Sequence, residues 1–107
     1  MTISELTKFI GEEKERLRIK FDVDKMSENE AIFSQTVKLM EEVGELAEQV
    51  LASKSHQRQK NKKFSEESLA DEVADVIITT LMVANRLDVN VEKALQGKIK
   101  KIEARYQ

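Results

Sequence analysis

Apolar residues recur at three- and four-residue spacings along most of the chain. No stretch sustains the alternation of apolar and polar residues that a strand would need. Four helix starts are legible. Thr2-x-x-Glu5 is a capping box placed before Leu6, Phe9, Ile10 and Leu17. Ser27-x-x-Glu30 is a second box and opens a helix expected to reach about Ala52. Ser65, with Glu66 and Glu67 at the positive end of the helix dipole, starts a third that should run to about Leu87. Asn90, followed by Glu92, starts a fourth that continues almost to the last residue. The connections are Phe21 to Met26, Ala52 to Phe64 and Asp88 to Asn90, and only the middle one is long. The expected architecture is all-α, a four-helix-bundle-like single domain over residues 1–107.

On a helical wheel the second helix places Leu39, Val43, Leu46 and Val50 on one narrow stripe, which reads as its core seam. Gln35, Lys38, Glu42, Glu45 and Gln49 lie on one flank, while Glu41 and Glu48 fall toward the expected solvent side. Glu42 and Glu45 are thus an i, i+3 pair at the edge of the seam. Gly44 between them costs roughly 1 kcal/mol relative to alanine, so close packing or ligand approach is its expected reason. The third helix is apolar on nearly every side from Val73 to Ala84, with Asp75 its one charge and Glu72 three residues before it. Such a helix is expected to be buried, in a bundle centre or an oligomer interface. Buried carboxylates require a metal ion, a basic partner or protonation. Two acidic pairs able to face each other favour the metal. In the last helix Lys98 takes a seam position between Leu95 and Ile102, with Lys101 and Arg105 on the same side. These three cations are expected to line a phosphate track opposite the acids, or else to snorkel to water.

Composition narrows the chemistry. The 107 residues include no cysteine and one histidine, which removes disulfides, thiol catalysis and cysteine-type zinc sites. Oxygen ligands remain, and they favour Mg²⁺, Mn²⁺ or Ca²⁺. A net charge of -2 gives no bulk field directed at nucleic-acid polymers or at a membrane. The first twenty residues lack the apolar core of a signal peptide, and no apolar run is long enough to span a bilayer, so the expected location is cytoplasmic. The connection from Lys54 to Lys63 is basic and carries no acid; it is expected to be mobile and to close over phosphates.

Glu42-Val43-Gly44-Glu45 and Glu72-Val73-Ala74-Asp75, with KLMEEVGELAE, LADEVADVI and KIKKIEARY around and after them, resemble the paired acidic motifs of MazG-like all-α nucleoside triphosphate pyrophosphohydrolases. The resemblance covers about Lys38 to Tyr106. It implies a helical bundle that forms a dimer or tetramer and hydrolyses a (d)NTP to the monophosphate and pyrophosphate. It implies Mg²⁺, or Mn²⁺ in its place, held by Glu42, Glu45, Glu72 and Asp75. Glu41 and Glu42 are the implied catalytic carboxylates. Lys98, Lys101 and Arg105 match phosphate-contacting positions, and Lys38 and Tyr106 complete the expected substrate side. No tryptophan is available for a base pocket; Phe33, Phe64 and Tyr106 are the aromatic candidates. Two other readings stay open: phosphoribosyl-ATP pyrophosphohydrolase, and a non-catalytic oligomeric bundle that binds a structural cation.

Overall fold

The computed structural model describes residues 1–22, 25–54 and 65–107. Four helices occur among them and no strand: α1 (Ile3–Phe21), α2 (Glu28–Ser53), α3 (Glu66–Arg86) and α4 (Val91–Ala104). Every helix starts where its cap stands in the sequence. The Thr2 hydroxyl accepts the Glu5 N–H at 3.0 Å and Glu5 Oε1 accepts the Thr2 N–H at 3.1 Å, which completes the capping box. Ser27, Ser65 and Asn90 accept from the N–H groups of Glu30, Ser68 and Lys93. Each cap satisfies a backbone donor that the helix itself leaves free. The basic connection expected to close over phosphates lies outside the described residues apart from Lys54, as does Phe64.

Helix α3 is the hub. It packs along α2 most extensively, with α1 laid against it, and α4 touches α1. The core is small: Ile10 from α1 and Leu81 and Met82 from α3, with Leu6, Leu17, Ile78 and Val91 packed around them. Val91 is the one α4 residue in that group, and no residue of α4 is buried. The radius of gyration is 16.7 Å, against about 13 Å for a compact domain of this length. The chain alone is therefore more open than the bundle expected from its sequence.

The seam of α2 differs from the one read on the wheel. Its buried residues are Ala31, Glu42 and Gln49, with Gln35, Leu39 and Leu46 half-buried on the same face. Val43 and Val50 are instead 48% and 45% exposed. The true seam is turned by about 55° from the apolar stripe, toward Glu42. The cause is the breadth of the apolar arc. Beyond Val43 and Val50 it continues through Met40 and Phe33 to Val37, all exposed, and one neighbouring helix cannot cover so wide a face. Apolarity alone locates the middle of the arc rather than the edge that meets α3.

Helix α3 behaves similarly. Leu81 and Met82 are buried, but Val73 and Ile77 are 43% and 50% exposed, so the helix is not enclosed on all sides by its own chain. Asp75 is exposed as well, which corrects the expectation that it is buried in an apolar run. Glycine 44 is not explained by packing within the chain, since a Cβ there would meet nothing within 4 Å.

Candidate functional site

Where α2 crosses α3, Glu42, Glu45 and Glu72 converge: each contributes one carboxylate oxygen to a group whose members lie within 4.8 Å of one another. Glu42 is buried at 7% exposure, Glu72 is half-buried and Glu45 is exposed. The seam itself brings them together. Glu42 points into the α2–α3 contact instead of flanking it, and Glu45 follows one turn later on the same edge.

The electrostatics of this cluster are unfavourable without a cation. Glu72 titrates above the ordinary carboxylate range, first because burial strips its solvation, then because Glu45, Glu42 and Asp75 repel its charge; a hydrogen bond with Glu45 adds to the shift. Asp75 is raised too, by desolvation and then by Glu42 and Asp71, with Lys38 opposing. One oxygen of Glu42 and one of Glu72, both Oε2, are buried and have no hydrogen-bond partner among the described residues. Buried acceptors left unpaired cost free energy and require an explanation. A divalent cation supplies one: hard oxygen donors, converging, with inward-facing oxygens vacant for coordination. The residues present thus fit a metal ion.

Lys38 stands at the rim. Its Nζ is 3.2 Å from Glu42 Oε1 and 3.7 Å from Glu41 Oε2. From there a groove of about 370 Å³ runs between the end of α1 and the start of α2, lined by Leu17, Phe21, Met26, Gln35, Lys38 and Arg86. A cavity of about 380 Å³, bordered by Lys14, Arg18 and Glu28, shares Met26, Ala31 and Arg86 with it. Another, of about 350 Å³, lies under the α3–α4 corner by Thr7, Asn85 and Asp88, and contains none of the cluster carboxylates.

The family model described as the MazG nucleotide pyrophosphohydrolase domain matches residues 33–107. The chain belongs to the MazG family. The match takes in α3, α4 and nearly all of α2, so every carboxylate of the cluster falls inside it. No curated protein and no solved structure matches the chain.

In this MazG chain the sequence-expected site residues separate into two groups. Glu42, Glu45 and Glu72 come together, with Lys38 and Glu41 beside them. Asp75 is near enough for Glu42 to repel its charge, yet it is not in the three-carboxylate group. Lys98, Lys101, Arg105 and Tyr106 are all exposed, and among the described residues none of the three cations makes an ion pair. Helix α4, which carries these cations, packs on α1. Phe33, read as a stacking candidate, is 64% exposed on the far side of α2.

Sequence reasoning missed Arg86. Its side chain is only 13% exposed, and it lies 4.0 Å from Glu28 Oε1. A signal was available: Arg86 follows Glu72 by about four helical turns, on the same face of α3.

The charge repulsion has a measurable consequence. Glu72→Gln should raise the melting temperature of the metal-free protein, because it removes a charge that the fold disfavours. The same carboxyl has a folded-state pKa above its unfolded value. Its contribution therefore favours folding most at low pH and is lost as pH rises through the raised folded pKa. The metal-free parent should lose stability on going from mildly acidic to neutral pH, and Glu72→Gln should flatten that slope. Thermal melts in chelator across this range would show it; an equal slope in both proteins would mean that the cluster does not repel Glu72.

Proposed function

We propose that this MazG domain hydrolyses (deoxy)nucleoside triphosphates to the monophosphate and pyrophosphate with Mg²⁺, for which Mn²⁺ can substitute. The observation that carries the reading is the pair of buried, unpartnered Oε2 atoms of Glu42 and Glu72 in a three-carboxylate cluster. Glu42, Glu45 and Glu72 hold the metal, with Asp75 close by to add its charge or a further ligand. The ion would neutralise phosphate oxygens and make a water more acidic. Water attacks the α-phosphorus, its oxygen bonds to that atom, and the bond to the bridging oxygen breaks, releasing pyrophosphate. Glu41, exposed beside Lys38, is the carboxylate assigned to take the water's proton. The groove from Lys38 to Arg86 receives the nucleoside: its walls offer apolar surface from Leu17, Phe21 and Met26, with Gln35 and Arg86 as polar contacts.

The exposed apolar faces of α2 and α3 support assembly into a homo-oligomer. In such an assembly α4 would lie against a neighbouring copy, and Lys98, Lys101, Arg105 and Tyr106 would meet the phosphates there. No described helix is long and apolar enough to cross a membrane.

A pyrophosphate-release assay over ribo- and deoxynucleoside triphosphates and phosphoribosyl-ATP, with Mg²⁺ and with chelator, tests the proposal. Equimolar monophosphate and pyrophosphate, formed only with the metal, is the expected result. Turnover confined to phosphoribosyl-ATP would assign the chain to the histidine-pathway reaction. Cation binding without turnover of any nucleotide would leave a structural cation site.

A further inference from the structure

Lys38 and Glu42 are four residues apart on α2, a spacing that usually gives a surface ion pair of small consequence. This pair differs in its acidic half. The Glu42 side chain is 9% exposed against 54% for Lys38, so a solvated cation is joined to a carboxylate that water scarcely reaches. The two oxygens of that carboxylate are used differently. Oε1 accepts from the Lys38 ammonium at 3.2 Å, whereas Oε2 is buried and has no partner among the described residues, as is true of Oε2 of Glu72 in the same cluster. We propose that Lys38 is a positioning residue: by holding Oε1 of Glu42 it fixes the carboxylate plane so that Oε2 is presented to the metal. The inference rests on the metal-site reading above, and it gives Lys38 a role other than contact with substrate phosphates. A hydrogen bond to a ligating carboxylate orients it, and such partners commonly matter tenfold or more for metal affinity.

The opposite outcome also has a physical basis. A positive charge beside a cation site repels the cation, so if Lys38 acted only through its charge, its removal would tighten binding. A phosphate contact would leave binding of the metal alone unchanged. Mn²⁺ titrations followed by electron paramagnetic resonance, without nucleotide, separate these three roles. Lys38→Met keeps the aliphatic stem and removes the donor. Lys38→Arg keeps a donor and the charge. Positioning requires Lys38→Met to bind Mn²⁺ about tenfold more weakly than the parent, with Lys38→Arg recovering most of the loss. Equal or tighter binding by Lys38→Met, in a protein whose circular dichroism matches the parent, would overturn the role while leaving the metal site standing. If Lys38→Met does not fold, Lys38→Arg against Lys38→Gln makes the same comparison. A parent that binds no Mn²⁺ would overturn both this role and the metal site.

Discussion

Glu42→Gln should lower the rate of pyrophosphate release by two orders of magnitude or more, on the order of what removing a metal ligand or a key charge-stabilising group does elsewhere. The substitution keeps shape and volume, so the helix pairing survives. It removes the charge from the one carboxylate that is both buried and joined to Lys38, and it places an amide where an oxygen should face the metal. Glu72→Gln should be nearly as severe, since it removes the other inward-facing oxygen. Glu48→Gln is the control. Glu48 lies on α2 between the cluster and its C-terminus, carries the same charge, and is not in the three-carboxylate group. It should retain activity within a few-fold. Steady-state kinetics at saturating Mg²⁺ decide the matter: a Glu48 variant as impaired as the Glu42 variant would show that the face assignment is wrong.

The second large effect concerns assembly. A folded monomer should not persist on dilution, and Val43→Asp should abolish the native state at micromolar concentration. Among the described residues only Ile10, Ala31, Leu81 and Met82 are buried as apolar core, while Phe33, Val37, Met40, Val43, Val50, Val73 and Ile77 stand exposed. Apolar burial contributes roughly 25 cal/mol per Å², and a core this small does not offset the entropy of ordering four helices. A second copy covering these faces would supply the missing area, and an aspartate at Val43 would be stranded within it. Sedimentation velocity and circular dichroism over a dilution series test this. A well-folded monomer, or a Val43→Asp variant as stable as the parent, would refute it.

Much of this was legible in the sequence, and the reasons are local. Caps are encoded in one or two residues, so Thr2, Ser27, Ser65 and Asn90 marked the helix starts correctly. The acidic triad was legible because Glu42 and Glu45 fall one turn apart and Glu72 heads the second motif. The seam of α2 was not, because its apolar arc is wider than the α3 contact and the wheel locates only the middle of that arc. Asp75 was misjudged for the same reason: an apolar neighbourhood in sequence became burial only where this chain itself supplies a neighbour. The placement of α4 depends on which helix it packs against, and nothing between Asp88 and Asn90 specifies that. Arg86 was not legible, because a basic residue near a helix C-terminus already has a local explanation in the dipole.

The three-sided character of α2 bears on how far its sequence can drift. From Glu41 to Val50 the helix presents a rim of acids, a buried strip shared by the α3 contact and the carboxylate cluster, and an apolar arc left uncovered by its own chain. A typical amphipathic helix has a solvent face where substitutions accumulate at little cost. Under the proposed function and assembly, that face is divided between chemistry and a partner copy, and few positions besides Glu48 are spare. A second substrate preference would therefore evolve more readily along the α1 side of the groove than on the helix that carries the carboxylates.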